Sequence, residues 1–425
     1  MINLTALSGA PFLVLVYVVN LFLTNFGFNL YPAFTIFSTY GTYYIISTLN
    51  NGQGLNKRNK YLFFLHLVLL FYGFFMFYLY EVGLLERETP SWWGFNSLLK
   101  FISIIIASLA VIVTPMGKII KSISIIKNIS YFMILGAIIY YVIKPLGINF
   151  LSSDELAGYR YNGGVNSYIQ TGQFLIAGFI SHVLLYQKSK LRKILFAALL
   201  FTLAIFATQD RTSIGALLII FGILFFRSGF GLSPFNFQIK KSVVILFLIP
   251  AILGFGFLQY QNFTSGNFES YKSVIHRLTI SLRSYELFQE TLPAGSGPGS
   301  QTFLMNENRI NLELFEEDEE VEGLSSLLVN EVDSFQANVG SGLKLSPHNT
   351  YVDFLVPFGL MGLFFVICVI GIQLGAMKRI LFNKNNSTVI LDSFAISAFL
   401  FLMLSSLFNL WWLYLIFYRI LISEK

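Results

Sequence analysis

The sequence predicts an all-α polytopic membrane protein of about twelve transmembrane helices, with one large outward-facing loop between the ninth and tenth. Three observations carry this. Hydrophobic residues make up 55% of the 425 and charged residues only 12%, with a mean hydropathy of +0.67; a soluble domain carries about twice that charge. Apolar runs such as "YLFFLHLVLLFYGFFMFYLY" (61–80) and "SVVILFLIPAILGFGFLQY" (242–260) are long enough to cross a bilayer as helices. Lysine and arginine fall in alternate connections between those runs.

In chain order, the predicted spans begin with 5–24 and 30–49, which precede the first basic residue, Lys57. A removable signal peptide, which needs a basic n-region, is therefore not expected. Spans follow at 61–80, 98–115, 128–147 and 166–186, then two short ones at 194–208 and 213–226. The polar turn "ATQDRTSIG" joins that short pair. A ninth span at 242–260 precedes the loop, and 350–376, 389–408 and 410–422 complete the set. Periods near 20 residues fit helices and not barrel strands. The expected organisation is an N-terminal bundle (1–260), the large loop (261–349) and a C-terminal helical segment (350–425).

Charge gives the orientation. Lys57, Arg58, Lys60, Lys118, Lys121, Lys127, Lys188, Lys190, Arg192, Lys193, Arg227, Lys240, Lys241, Lys378, Arg379 and Lys384 occupy one set of alternate connections. With Arg419 and Lys425 they are 18 of the 28 basic residues, so both termini are expected to be cytoplasmic. The loop at 261–349 holds 13 acidic residues against five basic ones and is expected to face outward. The basic pI of 9.1 then reflects anchors beside anionic headgroups, not nucleic-acid binding.

Loops this long are commonly functional. Within it, 276–292 has helix-like apolar spacing and reads as an amphipathic helix at the membrane surface, ended by "PAGSGPGS". "GSGPGS" follows no strand and lacks the lysine of a phosphate loop, so it reads as a turn or hinge. "EEDEE" reads as a solvated charge run, with a divalent cation as the other possibility. Cys368 is the single cysteine, so neither a disulfide framework nor a cysteine metal site is available.

The chemistry-bearing candidates are cations and one histidine. Arg211 lies close to the hydrocarbon, where a cation is expensive; an ion pair with Asp210 and snorkelling to headgroups are the plain alternatives. Arg277 and Arg283 are six residues apart and fall on opposite faces of the surface helix. Of the four histidines, His66 sits mid-span as a packed or helix-bridging ring, His182 near an inner end and His276 in the loop. His348 follows Ser346 and Pro347, suited to N-cap and first-turn positions. A helix N-terminus keeps its ring neutral and offers N–H groups to an anion. Gly359, eleven residues on, and Gly362 return to nearly the same helix face, about 16 Å deeper, with a kink expected at Pro357. Those glycines suit close helix packing or room for a lipid chain.

These features resemble the bacterial O-antigen polymerase and ligase family, the Wzy and WaaL types. Its hallmark is His followed by Asn, Ser or Gln, nine residues, then Gly-x-x-Gly. His348, Asn349, Thr350 to Phe358, Gly359 and Gly362 fit it. Arg283 and Leu287 match an Arg-x-x-x-Leu element, "QDRTSIG" a short Ser-Arg turn, and "GSGPGS" a Gly-x-Gly-x-Gly element. Gln209 and Asp210 depart from the small residue usual before that arginine. The likeness covers roughly 200–410 well. It implies a GT-C-like glycosyltransferase of the bacterial inner membrane that uses neither metal nor cofactor. The donor and acceptor would be undecaprenyl-pyrophosphate-linked oligosaccharides, for O-antigen, capsule or exopolysaccharide. His348 would be the general base, Arg211, Arg277 and Arg283 would hold the pyrophosphate, and Asn349 would orient His348 or a sugar. A polymerase, with a chain-length regulator as partner, is the favoured reading, and a ligase passing glycan to a lipid A-core or protein acceptor is the alternative. A flippase is a third, disfavoured because the polar candidates crowd the outer face.

Overall fold

The computed structural model describes residues 7–23, 31–52, 55–84, 91–144, 152–153, 160–163, 168–186, 191–229, 284–298, 350–382, 389–404 and 411–423. Among them are twelve helices: α1 (Ala10–Leu23), α2 (Tyr31–Asn50), α3 (Lys57–Glu81), α4 (Ser91–Val113), α5 (Met116–Ile143), α6 (Tyr168–Tyr186), α7 (Leu191–Thr208), α8 (Arg211–Gly229), α9 (284–290), α10 (Thr350–Phe382), α11 (Val389–Leu404) and α12 (Trp411–Ser423). A two-residue antiparallel pair, β1 (Ser152–Ser153) with β2 (Arg160–Tyr161), lies between α5 and α6.

Every predicted span overlaps a helix except 242–260, which lies outside the described residues. Lys57–Leu79, Met116–Ile143, Ile169–Tyr186 and Tyr351–Phe382 are long and apolar enough to cross a bilayer, and six shorter apolar helices accompany them. The chain is a multi-pass helical membrane protein. The expected surface helix at 276–292 is described only over α9.

The core forms around α12. It is apolar all round, the pattern of a helix enclosed by others, and each side chain from Trp411 to Tyr418 is buried. It packs on α4, α5 and α11. Trp412 presents its edge to Tyr17 of α1 and Phe37 of α2, at ring-centroid distances of 5.5 and 5.3 Å. His66 of α3 bridges to the same helix: Trp411 Nε1 donates to its Nε2 (2.9 Å), which leaves Nδ1 to donate to the Leu62 carbonyl (2.8 Å). That is the helix-bridging imidazole expected at this position. Tyr61, Phe64, Phe71 and Tyr78 of α3 are exposed, so this helix forms an outer wall.

The basic residues require a correction. Lys118, Lys121 and Lys127, expected in a connection, lie on α5, which starts at Met116 after a turn of only Thr114 and Pro115. Lys118 donates to Ser8 Oγ (2.5 Å), and Lys127 sits over the Tyr186 ring at 4.9 Å, a favourable cation–π geometry. Arg227 and Arg419 are 1% and 5% exposed rather than at headgroups. Arg227 Nη1 donates to the Ile380 carbonyl (3.0 Å) and Arg419 Nη2 to the Thr114 carbonyl (2.8 Å). Arg379 Nε and Nη2 donate to Asp392 Oδ1 at 2.8 and 2.5 Å. These contacts gather the ends of α4, α8, α10 and α12 and the starts of α5 and α11 at one end of the bundle.

Candidate active site

At the opposite end, α10 is broken. Gly359 has φ 51 and ψ −127, a backbone conformation closed to most side chains, and the chain reverses there. In an unbroken helix Tyr351 and Gln373 stand about 33 Å apart by rise, yet Tyr351 Oη donates to Gln373 Oε1 at 3.0 Å. The Phe354 and Phe365 rings stack at 4.4 Å. A methyl group on Gly362 would overlap the Phe354 carbonyl oxygen. The helix is therefore two limbs, residues 350–358 folded back against 360–382. The expected kink at Pro357 is instead a reversal two residues later. The expected continuation of one straight helix to Gly362, one turn deeper, does not hold, and position 348 lies outside the described residues. Gly362 meets its own chain.

A fold-back of this kind frees the last carbonyls of one limb and the first N–H groups of the next. The turn after α9 takes them. Ser296 N donates to the Val356 carbonyl and Gly297 N to the Pro357 carbonyl, both at 3.0 Å, while Leu360 N donates to the Pro293 carbonyl at 3.0 Å. Gly295 and Gly297 have φ of 85 and 80. A methyl group on Gly295 would stand 2.5 Å from Gly359 N, so the two glycines permit each other's approach. Tyr72 of α3 donates to the Ala294 carbonyl at 2.6 Å. α9 is anchored by the buried Ser284 and Leu287, one helical turn apart. Residues 295–298 of "GSGPGS" thus belong to a built turn, and it clasps the Gly-x-x-Gly end of the His348 element.

Two charged residues absent from the sequence reading stand by this clasp. Lys100 of α4 lies within electrostatic reach of Asp353, in the first turn of the shorter limb. Phe101 beside it packs on Phe358 at 4.8 Å. The signal was available: Lys100 interrupts the apolar run 98–115, and an ionisable residue inside a span is a site hypothesis with a partner to be found.

Arg211 opens α8 and is exposed. Its neighbour Asp210 caps the helix. The Asp210 carboxylate accepts from Thr212 N (3.3 Å), Ser213 N (3.1 Å) and Ser213 Oγ. Gln209, with φ 51, makes the tight turn before it. α11 packs against both α8 and α10. The structure brings together Gly359, Gly362 and the 293–297 turn. Arg277, Arg283, His348, Asn349 and "EEDEE" lie outside the described residues. Among the described residues, His, Cys, Asp and Glu form no cluster fit for a metal ion.

Residues 195–367 match the family of O-antigen ligases (Wzy_C). That segment holds α7, α8, the clasp and the bend of α10. No curated protein matches the chain. Over residues 195–367 the chain is similar to the O-antigen ligase (Wzy_C) family, which supports the Wzy/WaaL type.

Proposed function

We propose that this chain is a polysaccharide polymerase, moving a growing glycan from undecaprenyl pyrophosphate onto the next lipid-linked repeat unit at the outer face of the inner membrane. The family supplies the coarser part: a glycan-processing, glycosyltransferase-like enzyme of O-antigen synthesis with lipid-linked oligosaccharides in a membrane. The observation that supports the site is the clasp. Arg283 directly precedes α9 and His348 lies two residues before α10, and the far ends of both segments are tied at the 293–297 turn.

In this reading the basic end is cytoplasmic, the fold is GT-C-like with twelve crossings, and the 261–349 loop faces outward. The shorter limb of α10, about 13 Å by rise, dips into the outer half of a chain segment of about 30 Å between Gly359 and Arg379. Irregular backbone at such depth survives only when buried in protein or lining a cavity, which suits a recessed, water-poor site. The acceptor sugar hydroxyl attacks the anomeric carbon, its proton passes to His348, and the bond to the pyrophosphate oxygen breaks with inversion. Arg211, Arg277 and Arg283 offset the charge growing on the leaving pyrophosphate, and Asn349 orients His348. Neither metal nor cofactor takes part, and a chain-length regulator is the expected protein partner.

The family description favours keeping the ligase as the second reading. Replacing His348 with Ala in the producing strain separates the two on a surface-glycan gel. Single repeat units on the acceptor mark a lost polymerase, and unattached full-length polymer marks a lost ligase. Unchanged long chains would remove His348 as the base.

A further inference from the structure

A second site lies away from the clasp, in the wall between α3 and the longer limb of α10. There the helices part to leave a groove of about 730 Å³, within the roughly 300–1,000 Å³ of small-molecule pockets. Its walls are apolar, with Leu65 on α3 and Phe364 on α10, and Arg58 and Arg379 close one end. Its floor is glycine. Among the described residues, a methyl group on Gly371 would meet nothing within 4 Å, and one on Gly375 only Arg379 Nη1, at 3.4 Å. No described helix packs on these glycines as the chain does on Gly359 and Gly362.

We propose that this groove holds an anionic phospholipid, its phosphate between Arg58 and Arg379 and one acyl chain along the Gly371 floor. Charge complementarity selects the headgroup. Arg58 and Arg379 line the groove's basic end, with Lys57, Lys60 and Lys378 beside them along the chain. The Asp392 carboxylate accepts from the Nε and Nη2 edge of Arg379. Arg379 Nη1 points back over Gly375, on the groove side. Length selects the chain. On α3 the groove runs from Arg58 to Val68, about 15 Å by rise, and on α10 from Met361 to Arg379, about 27 Å by rise. That gives room for an extended acyl chain within a hydrocarbon core about 30 Å thick. The site stands apart from the clasp and does not depend on the reaction assigned above.

Native mass spectrometry of the full-length protein, released from nanodiscs of mixed phosphatidylglycerol and phosphatidylcholine, tests this. The wild type retains phosphatidylglycerol in preference. Arg58→Gln, an exposed position, lowers that retention about fivefold, the worth of one basic side chain at an anionic surface, and leaves phosphatidylcholine unchanged. Gly371→Leu fills the floor and lowers retention of both lipids. Equal retention of the two lipids by the wild type, or of phosphatidylglycerol by the wild type and Arg58→Gln, overturns the headgroup site. Full retention by Gly371→Leu overturns the acyl groove, and displacement of phosphatidylglycerol by added undecaprenyl phosphate overturns the occupant.

Discussion

α10 carries two pairs of glycines that look alike in sequence, Gly359 with Gly362 and Gly371 with Gly375. Both lie in apolar surroundings at the three- or four-residue spacing of one helix face. Their environments are opposite. A side chain on either member of the first pair would run into backbone, the Pro293 carbonyl or the Phe354 carbonyl. A side chain on the second pair finds open space or the tip of one arginine. Small residues in a membrane helix are usually read as helix-packing faces. Here one pair lets the chain turn back on itself and be capped by a distant loop, and the other leaves a groove open.

The largest expected effect breaks the first pair. Gly359→Ala places a side chain at φ 51 and into the Pro293 carbonyl. Strain of about 1–3 kcal/mol and overpacking of about 1–3 kcal/mol add to a loss of about 2–6 kcal/mol. Thermal unfolding in detergent reads this, and a melting temperature equal to wild type would show that the reversal at Gly359 is not formed. A smaller effect sharpens the clasp itself. Tyr72→Phe removes one hydrogen bond to the Ala294 carbonyl, worth about 0.5–1.5 kcal/mol. It should speed proteolytic cleavage at 291–298 without altering the fold, and an unchanged cleavage rate argues that the turn is held by backbone bonds alone. The smallest effect belongs to the second pair. Gly371→Ala, with nothing within 4 Å, should be neutral or stabilise by about 0.5–1 kcal/mol through helix propensity. Marked destabilisation there would mean that a helix packs on that face and that the groove is closed.

Much of the site was legible as pieces. Asp210 entered the sequence reading as an ion-pair partner of Arg211, and the structure shows it capping α8, local hydrogen bonding that depends only on neighbours in the chain. The turn character of "GSGPGS" was legible for the same reason, since glycine at positive φ is a local requirement. The union of that turn with Gly359 was not. It joins residues about sixty positions apart through backbone groups, which carry no side-chain signature. The face-by-face argument carrying Gly362 one turn below Gly359 failed because it assumed one continuous helix. Pro357 gave warning of a break but not of its angle, which the partner loop sets.

The helical membrane class followed from the sequence by itself, because hydropathy and run length are summed along the chain and need no partner. Tertiary structure decided what each special residue does. Arg227, Arg379 and Arg419 were legible as basic-end residues, but their burial onto carbonyls and onto Asp392 depends on which helix ends meet. His66 became a bridge because Trp411 arrives with a donor. Two glycine pairs of equal appearance diverged because one faces a loop that needs its hydrogen bonds completed and the other faces the edge of the bundle.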